Sequence, residues 1–255
     1  MPDWPIIEVL PSQEAVCDAA AAAIAGAIAR AIEERGVAHW ATTGGSVAPG
    51  IYAALRVAPL RDVVDWARLH VWWGDDRFVP LADALCNVQP FEALITGSNA
   101  VTIPASQVHR IPSDGAIARG EGPDRAAAQY AASLRAVGPT PNADGVPVLD
   151  VIVLGMGSDG HIMSVFPGSA VFDADTLVAG VPAPTHIEPH VPRVTMHPRL
   201  VSAARQVVLA TAGAQKAPIL ARALAGGDPR ELPVRVAAGP NATWLLDEAA
   251  AADLR

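Results

Sequence analysis

Hydrophobic positions along the chain follow two periods. Val16, Ala20, Ile24, Ile28 and Ile32 recur every four residues between Ser12 and Gly36, which predicts one amphipathic helix with Ser12 as its N-terminal signal and Glu14 in the first turn. Beyond Gly36, short apolar runs alternate with Gly- or Asp-containing turns and helix-like segments. Residues 37–41, 69–73, 149–154 and 206–211 read as strands, with 234–238 as a fifth. Apart from Asp150, the 149–154 run has no alternating polar positions, the pattern of a strand covered on both faces. Residues 48–57, 87–95, 124–137 and 216–225 read as crossover helices. The alternation predicts an α/β layer fold, a mostly parallel sheet with helices on both faces. Proline-rich stretches at 138–147 and 181–198 read as irregular loops and not as interdomain linkers, because apolar strand patterns resume directly after each. The chain, 1–255, is therefore expected to form a single domain.

Polar residues concentrate just after the strands. Thr43-Gly44-Gly45-Ser46, Gly74-Asp75-Asp76-Arg77, residues 155–161 and Gly213-Ala214-Gln215-Lys216 each follow one of the four clearest runs. Carboxyl ends of parallel strands share one edge of the sheet, so these turns are expected to converge on a single cleft. Gly44-Gly45-Ser46 can offer backbone N–H groups and a hydroxyl at the positive end of a helix; its plainer reading is a tight turn with Ser46 as an ordinary N-cap. Arg77 as a two-pronged clamp and Lys216 as a point charge suit a phosphate monoester. The plainer alternatives are an ion pair of Arg77 with Asp75 or Asp76, and a solvated helix turn for Lys216.

Gly155-Met156-Gly157-Ser158-Asp159-Gly160 spells the Gly-x-Gly-x-x-Gly dinucleotide pattern. That pattern requires a helix at its last glycine and an acidic residue at the end of the next strand. Pro167-Gly168 cuts the helix short, and Asp173 and Asp175 fall in an irregular stretch. The glycines read better as letting backbone approach a ligand while the loop projects His161 into the cleft as a general base. A structural, hydrogen-bonding histidine is the other reading. His186, His190 and His197 raise a metal site, yet Pro189 and Pro198 break the helical spacing that would align two imidazoles, and no metal is expected. Trp72 and Trp73 read as strand packing.

With 51% hydrophobic and 17% charged residues, the chain is not disordered, and its net charge of −8 argues against nucleic acid or anionic membrane as partners. Only a local basic pocket would attract an anionic small molecule. Cys17 and Cys86 are too few for a disulfide framework or a zinc site, so a reducing, cytoplasmic location is expected. The apolar stretch 19–29 falls short of the roughly 20 residues that span a bilayer. Asp3 stands where a secretory signal would carry Lys or Arg, so no export is expected.

Leu154-Gly155-Met156-Gly157-Ser158-Asp159-Gly160-His161, continuing to Ser164-Val165-Phe166-Pro167-Gly168, closely resembles the signature of 6-phosphogluconolactonases, in the glucosamine-6-phosphate isomerase/6-phosphogluconolactonase superfamily. Trp73-Gly74-Asp75-Asp76-Arg77-Phe78-Val79-Pro80 resembles that family's Trp-Gly-Asp-Glu-Arg-Phe-Val-Pro. Gly44-Gly45-Ser46, Arg193-Val194-Thr195 and Gly213-x-x-Lys216 fall in the family order, and Trp244-Leu245-Leu246-Asp247 resembles its ending. Asp76 stands where Glu is usual, Cys86-Asn87 replaces Ser-Asn, and Val47-Ala48 replaces Thr-Pro.

The resemblance implies a modified Rossmann-like fold and hydrolysis of 6-phospho-D-glucono-1,5-lactone to 6-phospho-D-gluconate, in the oxidative pentose phosphate pathway. It implies a phosphorylated sugar lactone as substrate, no cofactor, and a monomer or small homo-oligomer. His161 would be the catalytic base with Asp159 as its partner; Gly44, Gly45, Ser46, Asp75, Arg77, Asn87 and Lys216 would bind substrate. A lactone is an activated ester, so the reaction requires neither a covalent nucleophile nor a metal. Two alternatives stay open. One is a glucosamine-6-phosphate deaminase-like enzyme, whose Asp-Gly-His is followed by a segment resembling Phe-Asn-Glu-Pro where this chain has Val165-Phe166-Pro167-Gly168. The other is a non-catalytic sugar-phosphate-binding module, which as a regulator would carry a basic helix-turn-helix that neither terminus shows.

Overall fold

The computed structural model describes residues 4–254. Asp3, on which the reading of the N-terminus turned, lies outside them. Ten strands occur in the described chain: β1 (Ile6–Leu10), β2 (Ala38–Thr42), β3 (Leu69–Trp73), β4 (Asp75–Arg77), β5 (Val108–His109), β6 (Val151–Leu154), β7 (Val178–Val181), β8 (Arg193–Met196), β9 (Val207–Thr211) and β10 (Ala242–Asp247). Eight α-helices accompany them: α1 (Gln13–Arg35), α2 (Ala48–Leu55), α3 (Leu60–Val63), α4 (Val88–Ile95), α5 (Ser113–Ala118), α6 (Pro123–Val137), α7 (Pro198–Ala203) and α8 (Ala217–Leu224). Seven strands form one sheet in the order β1-β10-β9-β6-β2-β3-β5, with every neighbouring pair parallel. A second, antiparallel sheet runs β4-β8-β7.

Strand alternation explains why helices cover both faces of the large sheet. Trp40 of β2 packs edge-on against Tyr52 of α2 and near Phe91 of α4, and Trp73 meets Phe91 on that same side. Trp72, one residue earlier, points the opposite way and meets Tyr130 of α6. Trp40, Trp72 and Trp73 are fully buried, as expected of strand packing. In α1, the Ser12 hydroxyl accepts from the Ala15 N–H at 3.2 Å, and Gly36 ends the helix at φ 79°, a conformation glycine adopts without strain. Val16, Ala20, Ile24 and Ile28 are buried along the predicted seam, and Ile32 packs at its margin.

Several expectations change. The apolar window in α1 is wider than 19–29: Asp18 and Arg30 are exposed within the helix, not at its ends, and its 23 residues are long and apolar enough to cross a membrane by length and composition. Here the helix packs on β2, β6, β9 and β10. The run 234–238 is not a strand, because Pro233 opens a 3-10 turn there; the sheet takes β10 instead. The segment 181–198, expected to be irregular, contains β8. Gly74-Asp75-Asp76-Arg77, expected to be a turn, runs into β4, whose Arg77 lies in register with Arg193 of β8.

Candidate active site

All strands of the large sheet point the same way, so the segments after β2, β3, β6 and β9 emerge along one edge. They border a cleft that opens to solvent. Gly44, Gly45, Ser46, Asp75, Arg77, Asn87, His161 and Lys216 all line it, together with Gly157, Met163 and Arg193. Asp159 does not line the cleft and bonds to His161 from behind.

Within the histidine loop, His161 Nδ1 lies 2.6 Å from Asp159 Oδ1, which also accepts the His161 backbone N–H at 3.1 Å. An ionised carboxylate only accepts, so Nδ1 carries a proton, and in the neutral ring Nε2 is left with its lone pair. Burial alone would raise the Asp159 pKa; the hydrogen bond and charge of His161, with a further hydrogen bond from His186, outweigh it and hold this carboxyl far below the usual carboxylate range. One glycine of this loop has a purpose beyond the one expected. A Cβ at 157 would overlap the His161 ring and stand 2.8 Å from Asp159 Oδ1, so this glycine makes room for the pair and not only for a ligand. Gly157 N–H donates to the His161 carbonyl and Gly160 N–H to that of Gly157, which closes the loop on itself. No helix follows Gly160, as a dinucleotide site would need.

The cations line the same cleft as the histidine. Arg77 makes no ion pair with Asp75 or Asp76; its Nη1 donates to the Leu85 carbonyl at 2.7 Å and to Asn87 Oδ1 at 2.9 Å. Asn87 Nδ2 in turn donates to the Asp75 carbonyl, and the Asn87 amide occupies the space that a Cβ at 44 would take. Lys216 is half-buried, with Nζ donating to the Met156 carbonyl at 2.7 Å, so it ties the last turn to the histidine loop. Burial lowers its pKa, an effect the nearby Asp159 charge opposes. Ser46 does not cap α2: Val47 holds that position, with no side-chain bond.

The two acidic residues of β4 part company. Asp75 faces the cleft and accepts from the Ser164 hydroxyl at 2.5 Å. Asp76 is buried beneath it, accepting from the Arg77 and Asn87 N–H groups at 2.7 Å each and from Cys86 Sγ at 3.1 Å. Burial pushes its pKa up to about 6, against those hydrogen bonds. Two departures from the family pattern, Asp76 and Cys86, thus touch each other.

Sequence reasoning placed Arg193 in a family motif but not in the cleft, because its strand was hidden in a proline-rich segment. It is buried, and its pKa is lowered by burial, with Asp75 opposing and Arg77 adding to the shift. His186, weighed as a metal ligand, instead bonds Asp159. Among the described residues, no group of three or more His, Cys, Asp and Glu is placed to hold a metal ion.

Comparison with known proteins bears on this cleft. The family model described as glucosamine-6-phosphate isomerases/6-phosphogluconolactonase matches residues 11–245. The chain is 38% identical over 260 residues to the 6-phosphogluconolactonase of Streptomyces coelicolor, covering 100% of this chain and 96% of that protein. It is 37% identical to the 6-phosphogluconolactonase of Mycobacterium tuberculosis, covering 97% of this chain and 98% of the other. The structure of 6-phosphogluconolactonase from Trypanosoma cruzi matches with a TM-score of 0.84 at 26% identity, covering 100% and 98% of the two chains. Similarity of this extent, running through every segment that builds the cleft, means that the chain belongs to the glucosamine-6-phosphate isomerase/6-phosphogluconolactonase family.

Proposed function

We propose that this protein hydrolyses 6-phospho-D-glucono-1,5-lactone to 6-phospho-D-gluconate, acting as one α/β unit in the cytoplasm. The observation that carries the reading is a histidine–aspartate pair and three cations facing one cleft, in a chain similar along its length to 6-phosphogluconolactonases. His161 Nε2 takes a proton from water as the oxygen attacks the lactone carbonyl. Asp159 holds the ring and stabilises the imidazolium that forms. Cleft donors stabilise the oxyanion; the N–H groups of Gly157, Gly160 and His161 are not among them, since each is bonded within its own loop. As the tetrahedral centre collapses, the ring oxygen leaves with the proton from His161 and the acid is released. Arg77, Arg193, Lys216 and the Gly44-Gly45-Ser46 turn hold the phosphate, while Asp75 and Asn87 shape the sugar side.

The test is acid release from freshly generated lactone with spontaneous hydrolysis subtracted, His161→Ala beside the wild type. The wild type is expected to run well above background. The variant should lose at least about 100-fold in kcat, a typical general-base contribution, while still binding 6-phosphogluconate. No rate above background, with phosphorylated sugar acids still bound, would move the reading to a sensor; full turnover in the variant would remove His161 as the base.

A further inference from the structure

The Asp159 carboxylate has a second histidine. His186 Nε2 lies 3.0 Å from Asp159 Oδ2, while His161 occupies Oδ1, so the carboxylate bridges two imidazoles. The ring of Phe166 packs beside both, its centroid 4.8 Å from that of His161 and 5.6 Å from that of His186. His186 sits in the segment between β7 and β8, which is internally braced: His190 Nδ1 is hydrogen-bonded to the Pro184 carbonyl at 2.7 Å, and Arg193 donates to the carbonyls of Pro189 and Val191. This segment therefore reaches the carboxylate partner of the base at one end and a cleft cation at the other. Because an ionised carboxylate only accepts, His186 donates here. With 51% of its side chain exposed, it is not held in place by the core.

We propose that His186 is a positioning residue for the lactonase reaction: its Nε2–H fixes the Asp159 carboxylate, so that Oδ1 keeps the His161 ring turned with Nε2 toward the substrate water. The inference rests on His161 being the base. Without His186 the carboxylate is held at Oδ1 alone, by the His161 ring and backbone N–H, and any shift about its Cβ–Cγ bond turns the imidazole with it. Loss of the second donor also concentrates negative charge on the bond to His161, which favours the imidazolium and leaves less free base at a given pH. The charged and titratable groups about Asp159 are His161 and His186 by contact and Lys216 through its charge.

The experiment compares His186→Ala and His186→Gln by steady-state kinetics across pH, with melting temperatures and His161→Ala as a control. In His186→Ala, kcat should fall roughly three- to tenfold with KM changed less than about twofold, the signature of an interaction used in the chemical step. The acid limb of the kcat/KM profile should move to higher pH. Glutamine, whose amide can donate to Oδ2, should restore most of kcat and return the limb. Unchanged kcat and profile in His186→Ala overturn the proposal, as does a glutamine variant no better than alanine, or a lowered melting temperature with unaltered kinetics. An active His161→Ala would sink the reading of the base itself, whereas an inactive one beside a wild-type-like His186→Ala sinks only the role of His186.

Discussion

At position 157, the space of one methyl group is taken by the catalytic pair. Gly157→Ala should leave the fold intact, because the loop lies outside the strands, yet push the His161 ring off its bond to Asp159. Displacements of about 1 Å cost on the order of 100-fold in rate, and kcat in this variant should fall by that order at an unchanged melting temperature. Lys216 bears on the phosphate of the substrate. In Lys216→Met, KM for the phosphorylated lactone should rise about tenfold or more, reflecting loss of a charged hydrogen bond worth about 1.5–3 kcal/mol, with much less change for the unphosphorylated analogue. Equal effects on the two lactones would place the phosphate elsewhere.

Among the elements, β2, β3 and β5 carry a row of histidines on the face that Trp72 shares. His39 lies opposite His70, whose Nδ1 is 2.9 Å from His109 Nε2, and His109 stacks on Trp72 with ring centroids 3.9 Å apart. Burial, then the neighbouring histidines, lowers His39 to about 3 and His109 to about 4; burial lowers His70. The fold thus opposes protonation that the unfolded chain accepts, so between the ordinary histidine value and these lowered ones the unfolded state binds more protons. Stability is then lost as pH falls from about 6.5 toward 4, by up to about 1.4 kcal/mol per pH unit for each histidine. Chemical denaturation at pH 7 and 4.5 should show this loss, and His109→Gln should reduce it; equal loss in the variant would assign the acid sensitivity to other groups.

The same elements show what the pattern along the chain could reveal. Buried central strands and α1 were legible because burial imposes continuous or four-residue apolar spacing, and the four turns were legible because parallel strands end on one edge. β1, at an edge with exposed Ile6 and Ile7, lacks that burial, and β5, of two residues, is too short to show a period. β4 is three charged residues and reads as a turn, and β8 is four residues inside a proline-rich segment and reads as part of a loop. The partnership of Asp159 with His186 spans 27 residues and a proline-rich segment, a distance that no local pattern encodes.

Across the whole molecule, stability and chemistry sit at opposite edges of the large sheet. Asp150, buried just before β6, accepts the His39 N–H at 2.7 Å and pairs with Arg35 at 2.9 Å and Arg205 at 3.4 Å, joining the end of α1 to the strand starts. Both arginines are partly exposed, so the buried N–H dominates the balance. Asp150→Ala should cost about 1–3 kcal/mol of stability in denaturant melts, the usual penalty for an orphaned buried donor, and leave kcat and KM unaltered. A change in KM would mean that strand starts and cleft are coupled through the sheet.

The Asn87 amide that fills the place of a side chain at 44 also holds Arg77. Positions 44, 77 and 87 therefore form one unit of inheritance, though position 44 lies 43 residues before position 87. Any side chain arriving at 44 must first evict the asparagine and so leave the arginine with the Leu85 carbonyl alone, which bars the usual route of drift by single tolerated exchanges. Chimaeras of divergent relatives will keep a working cleft most readily when all three positions descend from the same parent.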